Sequence, residues 1–302
     1  MSGKSDSLRT IFYALGANFA IFVSKLAAAL ITGSGAMLAE AVHSLADCAN
    51  QGLLLIGMRN AKRAPSAEHP LGFGKVIYFW SFLVALLLFS VGGAFSFYEG
   101  LHKLEHPEPL RSPWVAVFVL AFGLIAEAFS MWGCLREVNK ARGEENLWHW
   151  VRQSRQSELI VVFGEDLAAL VGLAIAMAAV VATMLTGNPL YDAWGSIAIG
   201  LLLGVIAVFL ARQISKLLVG KSAEAGVREA IAQFVRAQPE VEQMFNQITL
   251  QLGPDIMVAT KAKMRGDLSG REQVEAINRV EAAMKARFPE IRWSFFEPDI
   301  DD

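Results

Sequence analysis

Two short stretches of this sequence stack metal-ligating side chains if they are helical. Residues 40–47 read Glu-Ala-Val-His-Ser-Leu-Ala-Asp, so His43 and Asp47 are four apart and share a helix face, with Glu40 one turn before them. Residues 165 and 166 are Glu and Asp. An imidazole and a carboxylate one turn apart offer a divalent metal a nitrogen at about 2.0–2.1 Å and an oxygen at about 2.0–2.2 Å. One carboxylate from a facing helix closes such a site, and Asp166 is the natural third ligand. Glu165 lies about 100° around the helix from Asp166, so it is expected to bond a neighbouring helix or relay protons instead. Glu40 and His43 also have the Glu-x-x-His spacing of di-iron bundles, but that chemistry needs a second copy on another helix and the sequence has none. Glu127 completes the acidic candidates, with Lys25 as its expected ion-pair partner.

The elements that carry these residues are apolar. Stretches 76–98, 167–191 and 193–211 contain no charge and meet or exceed the roughly 19–20 residues of a membrane helix. Three more qualify but for isolated polar groups: Thr10 to Thr32 with Lys25, Ala36 to Met58 with Glu40, His43 and Asp47, and Pro113 to Gly133 with Glu127. Six transmembrane helices are therefore expected, with short turns at Thr32-Gly33-Ser34-Gly35 and Thr186-Gly187-Asn188-Pro189. An ionised group at mid-bilayer costs about 2.5–3.5 kcal/mol or more, so each buried one is a functional candidate. Metal in one state and protons in the other would neutralise the carboxylates.

Basic residues set the expected orientation. Lys4 and Arg9, then Arg59, Lys62, Arg63 and Lys75, then Arg136, Lys140, Arg142, Arg152 and Arg155, and finally Arg212, Lys216 and Lys221 all fall on one side. The other side has Lys103 and Arg111, so both termini are expected in the cytoplasm, the membrane being a bacterial plasma (inner) membrane. The first apolar run is too long for a cleavable signal and a second follows it directly.

Composition narrows the classes further. Of 302 residues 54% are hydrophobic and 19% charged, which excludes a single soluble globule. The balance of 27 basic against 29 acidic residues removes the electrostatic case for a nucleic-acid binder. Cys48 and Cys134, far apart and without CxxC spacing, exclude a disulfide scaffold or thiolate zinc finger. Of the five histidines, His69 reads as a loop hydrogen-bonder, and His102 and His106, among Glu105 and Glu108, read as solvated outer-loop residues in preference to a weak metal site. Asp192 is expected to complement the N-terminus of its own helix, and the Gly200/Gly204 pair to serve packing. Asn18 and Asn50 orient ligands or bond between helices.

The six-helix domain, 1–218, gives way to a polar tail, 219–302. There a helix over 224–237, strands over 247–252 and 256–264, a capping box at Ser269–Glu272 opening a second helix, and a strand over 292–296 are expected. Val274, Ile277, Val280, Met284 and Phe288 form that helix's apolar stripe, with Glu275/Arg279 and Glu281/Lys285 as its ion pairs. The order αββαβ suggests a cytoplasmic α+β ferredoxin-like domain.

Taken together, Ser34 to Asp47 (SGAMLAEAVHSLAD), His69 to Lys75 (HPLGFGK), Phe163 to Ala169 (FGEDLAA) and the αββαβ tail resemble the cation diffusion facilitator family, and within it the mitochondrial-type zinc transporter branch. The resemblance implies proton-coupled antiport of a divalent cation, Zn²⁺ first, with Mn²⁺, Co²⁺, Fe²⁺ and Cd²⁺ as further substrates, by alternating access in a homodimer within the bilayer. It implies a four-ligand site, two from span 2 and two from span 5. His43, Asp47 and Asp166 match three positions and Val162 stands at the fourth, so the site is either three protein ligands plus water or is completed by Glu165, Glu127 or a neighbour. A second family site before span 3 needs a partner at Phe73 and is expected to be missing, as are tail metal ligands, since 219–302 contain no His or Cys. A membrane metalloenzyme around Glu40, His43 and Asp47, or a non-transporting metal sensor, are the alternatives.

Overall fold

A computed structural model describes residues 3–266 and 268–301, with side chains for residue 16 and from residue 18 onward. Lys4 and Arg9, used for orientation, have side chains outside the described residues. The chain divides into two compact units. The first holds residues 1–56, 80–147 and 158–213; the second holds 57–79, 148–157 and 214–302.

The first unit is helical. It holds all or most of α1 (Gly3–Thr32), α2 (Gly35–Ala61), α3 (Val76–Leu87) running through a π-helical segment (Leu88–Ala94) into α4 (Phe95–Glu105), α5 (Pro113–Arg142), α7 (Ser157–Thr186) and α8 (Leu190–Val219); the short α6 (Leu147–Gln153), before α7, falls almost wholly in the second unit. Among the described residues four stretches are long and apolar enough to cross a membrane: Val76–Glu105, Pro113–Arg142, Ser157–Thr186 and Leu190–Val219. At 30 residues each they are about 45 Å long, more than the roughly 30 Å of hydrocarbon. Among the described residues of α1, Asn18–Thr32 forms a shorter apolar stretch, and α2 is diluted by the polar residues described above.

The two expected turns use the same device. Thr32 and Thr186 donate their hydroxyls to the carbonyls of Ala28 and Ala182, and Gly33 and Gly187 follow at φ +69° and +71°, the left-handed position that ends a helix. The helix over Val76–Glu105 meets α8 through glycine. A Cβ on Gly200 would lie 2.5 Å from the Phe97 nitrogen, and one on Gly93 3.2 Å from that of Gly204, so backbones touch where side chains would separate them.

In the second unit α9 (Ala225–Arg236), β1 (Val241–Leu252), β2 (Asp255–Met264), α10 (Gly270–Arg287) and β3 (Ile291–Pro298) give the order αββαβ. β1 and β2 form an antiparallel hairpin around Gly253 and Pro254; β3 joins β2 in parallel, giving the sheet order β1-β2-β3. Ile231, Val235, Ile256, Val258, Ala276 and Met284 make its core. β1 starts six residues earlier than its alternation suggests, because it carries two bulges that break the period.

The Ser269/Glu272 capping box is present. Val274 is 58% exposed, outside the stripe that buries Val280 and Met284. The expected pairs of α10 are replaced: Glu275 takes Arg271, Arg279 reaches Glu240, and Glu281 accepts from the Ser294 hydroxyl. Exposed i,i+4 pairs contribute only about 0.2–0.5 kcal/mol, so a partner from another element displaces them readily.

The loop 62–75 is seated on the tail hairpin. A Cβ on Gly74 would collide with the Leu252 carbonyl, and one on Gly253 with that of Gly74, while the buried Tyr78 hydroxyl accepts from the Gly253 N–H at 3.0 Å. His69 stacks on Phe73 with ring centres 4.4 Å apart, and the Arg63 guanidinium lies 4.5 Å over the same ring.

Candidate metal centre

The depth of α2 is set by a neighbouring helix. Asp192, in the first turn of α8 and buried, accepts hydrogen bonds from the Ser34 hydroxyl at 2.5 Å and from the N–H groups of Gly35 at 2.6 Å and Ala36 at 3.4 Å. The carboxylate expected to complement its own helix thus caps α2 as well. Its geometry decides this, because α2 begins with free N–H donors and the turn through Gly33 brings them to it. Lys103 donates to the Gly33 carbonyl and pairs with Asp192 at 3.3 Å.

Two turns further along α2, His43 is fully buried and neither ring nitrogen makes a hydrogen bond. Its Nε2 lies 3.6 Å from Asp47 Oδ2. A tetrahedral zinc bound to both would hold nitrogen and oxygen roughly 3.3–3.4 Å apart, so the pair is close to ligating separation. Asp47 Oδ1 also lacks a partner, leaving three buried ligand atoms on one face of α2 without a hydrogen bond. Buried polar atoms are ordinarily satisfied, and such a cluster marks a place for an ion or water.

Across from Asp47 is a cavity of about 50 Å³, room for a few waters. It is lined by Asp47, Ser44 and Gln51 from α2, Asn18 from α1, Glu127 and Ser130 from α5, and Val162, Glu165 and Asp166 from α7. The Ser130 hydroxyl lies 3.2 and 3.3 Å from the two Asp166 oxygens and orients that carboxylate. Glu165 turns instead to α2, where its Oε1 accepts from Asn50 Nδ2 at 2.5 Å. Asp166 and Glu165 therefore reach the cavity in different directions. Val162 contributes only methyl groups.

Not every candidate is gathered here. Among the described residues no three His, Cys, Asp or Glu side chains stand in a closed ligating cluster. His43 does not line the cavity and meets it through Asp47. Glu40 lies outside it, with its Oε2 3.2 Å from the Lys25 ammonium, which also donates to the Ser44 hydroxyl at 2.8 Å. The expected Lys25–Glu127 pair is thus replaced by Lys25–Glu40. The ammonium crosses to α2, and Glu127 stays on the cavity wall. Ser130 and Gln51 also line the cavity, each one helical turn beyond an acidic candidate, Glu127 and Asp47, a spacing that is the sequence's one signal for them.

The sequence matches the family model of the cation efflux transmembrane domain over residues 11–219, more than half of the chain. The chain belongs to the cation efflux family. It is 34% identical over 265 residues to the mitochondrial proton-coupled zinc antiporter SLC30A9 of Xenopus laevis, covering 87% of this chain and 47% of that protein. It is 32% identical over 250 residues to metal tolerance protein C4 of Arabidopsis thaliana, 82% of this chain and 55% of that one. The cation-efflux pump FieF of Cronobacter sakazakii is 26% identical over 273 residues, 89% and 85% of the two chains. The chain spans about half the length of the first two. Two of these relatives are named as transporters, an antiporter and an efflux pump, and the matched family is one of cation efflux, which speaks against the metalloenzyme alternative. One is mitochondrial by name, so the expected bacterial inner membrane is not supported.

Proposed function

We propose that this member of the cation efflux family moves a divalent metal ion, Zn²⁺ first, across the membrane in exchange for protons, by alternating access through a six-span bundle with both termini cytoplasmic. The tail would be ferredoxin-like and two copies would associate. The observation that carries the proposal is the small cavity walled by Asp47, Glu127, Glu165 and Asp166, with the unsatisfied His43–Asp47 pair beneath it. His43 and Asp47 would bind the ion from α2 and Asp166 from α7. Glu127 or Glu165 would take the place that Val162 leaves empty.

Imidazole and carboxylate together suit Zn²⁺, with Mn²⁺, Co²⁺, Fe²⁺ and Cd²⁺ following. An ion displaces protons from its ligands as it binds, so the same atoms carry either cargo. A site whose ligands are near but not closed can fill and empty without passing through a deep well. The zinc antiporter names among the relatives support this reading.

Reconstituted protein in proteoliposomes tests it by zinc-driven proton movement. Asp47→Ala and Asp166→Ala should each abolish the signal, and Val162→Asp should raise zinc affinity at least tenfold by restoring a fourth ligand. Undiminished exchange in both alanine variants would remove the assignment.

A further inference from the structure

His102 and His106 stand at the close of α4, at the end of the bundle that carries the 32–35 and 186–190 turns, and the centre described above uses neither. Both are exposed. Their ring centres are 5.1 Å apart and the planes incline by 31°. Two imidazoles on one zinc ion, with bonds of about 2.0–2.1 Å, hold their ring centres roughly 3.2 Å from the metal; a tetrahedral angle then separates the centres by roughly 5.2 Å. The pair already has that separation. A histidine ring turns about an axis through its own centre, and that torsion is soft, so the nitrogens can be aimed at a common ion without moving either ring.

The surroundings favour a cation. His106 is the residue on which α4 ends, its N–H donated to the His102 carbonyl, so the negative pole of the helix lies here. Glu105 lies three residues after His102, is exposed, and adds negative charge to this end of the helix. Lys103, the neighbouring cation in sequence, is engaged by the Gly33 carbonyl and Asp192.

We propose that His102 and His106 form a second, peripheral site for a zinc-class cation (Zn²⁺, Co²⁺, Ni²⁺ or Cu²⁺), with water completing the shell. Two nitrogen donors select these ions over Mg²⁺, which asks for oxygen. Solvent reaches the pair directly, so an ion binds there without traversing the bundle. That the site lies on the release side rests on the orientation proposed above; its existence does not.

The test is zinc binding by the full chain in nanodiscs, measured by calorimetry with Zn²⁺ alone. In an Asp47→Ala/Asp166→Ala background one zinc ion per chain should remain. Adding His102→Ala or His106→Ala should weaken it at least tenfold, adding both should abolish it, and excess Mg²⁺ should not displace it. Both histidines are exposed, so the thermal midpoint should not move. The proposal is overturned if the chain lacking both histidines binds zinc as its background does, or if that background binds none. Should the two aspartate substitutions leave the wild-type zinc count unaltered, it is the central site that fails, and the histidine variants still decide this one.

Discussion

Lys25 and Glu40 have no exposed surface, and each offsets the charge of the other. Removing one partner of a buried pair strands the other, at a cost of about 3–5 kcal/mol, whereas replacing both with groups of similar volume is often neutral. Lys25→Met should therefore lower the thermal midpoint strongly, and Lys25→Met/Glu40→Gln should recover most of the loss. An uncorrected loss in the double variant would show that the ammonium matters for more than the pair. Which acid Lys25 meets was not legible in the sequence, because it depends on how α1 packs against α2 and α5. The His43–Asp47 proximity was legible, being fixed by helical geometry within one element. The divergence of Glu165 from Asp166 followed from the same rule, while its partner Asn50 depended on the distance between α2 and α7.

At the scale of elements, the N-terminus of α2 depends on a side chain 156–158 residues away in sequence. Charge-assisted hydrogen bonds contribute about 1.5–3 kcal/mol each, and Asp192 accepts from two N–H groups and a hydroxyl. Asp192→Ala should destabilise the bundle by at least about 2 kcal/mol in chemical unfolding and raise hydrogen exchange at Gly35 and Ala36. Asp192→Asn, which keeps one acceptor oxygen, should fall between. Unchanged exchange at those amides would rule out the cap. Helix ends and turns were readable from Thr, Gly and Asn, since their chemistry is local. The π-helical segment was not, because Gly92-Gly93 within an apolar run is equally compatible with an ordinary helix; it appears where Gly93 lets Val76–Glu105 and α8 meet.

At the scale of the molecule, composition separated an apolar bundle from a polar tail but did not indicate that 57–79 and 148–157 belong to the tail's compact unit. Contacts made by main-chain carbonyls leave little trace in side-chain patterns. Arg155 donates to the carbonyls of Ser222 and Ala223, and Lys221 to those of Arg152 and Gln153. Burial, then Arg155, then Lys216 push the Lys221 ammonium down to about 8. The unfolded chain keeps that proton until about 10.4, so it binds more protons across the interval and stability should rise with pH there. Scanning fluorimetry of the full chain should show a thermal midpoint that climbs from pH 8 to 10, and Lys221→Met should flatten the climb. Equal slopes in the two proteins would mean Lys221 is not responsible.

The seat between loop 62–75 and the tail hairpin is made of main chain on main chain, at Gly74, Leu252 and Gly253, with Tyr78 as its bolt. Apart from the Tyr78 phenol, such a joint has no side chain to shorten or lengthen, so point changes elsewhere in it cannot adjust its play. It holds or it is lost. Within that unit, a displacement of the hairpin turn is therefore handed without slack to Tyr78 in the first turn of α3.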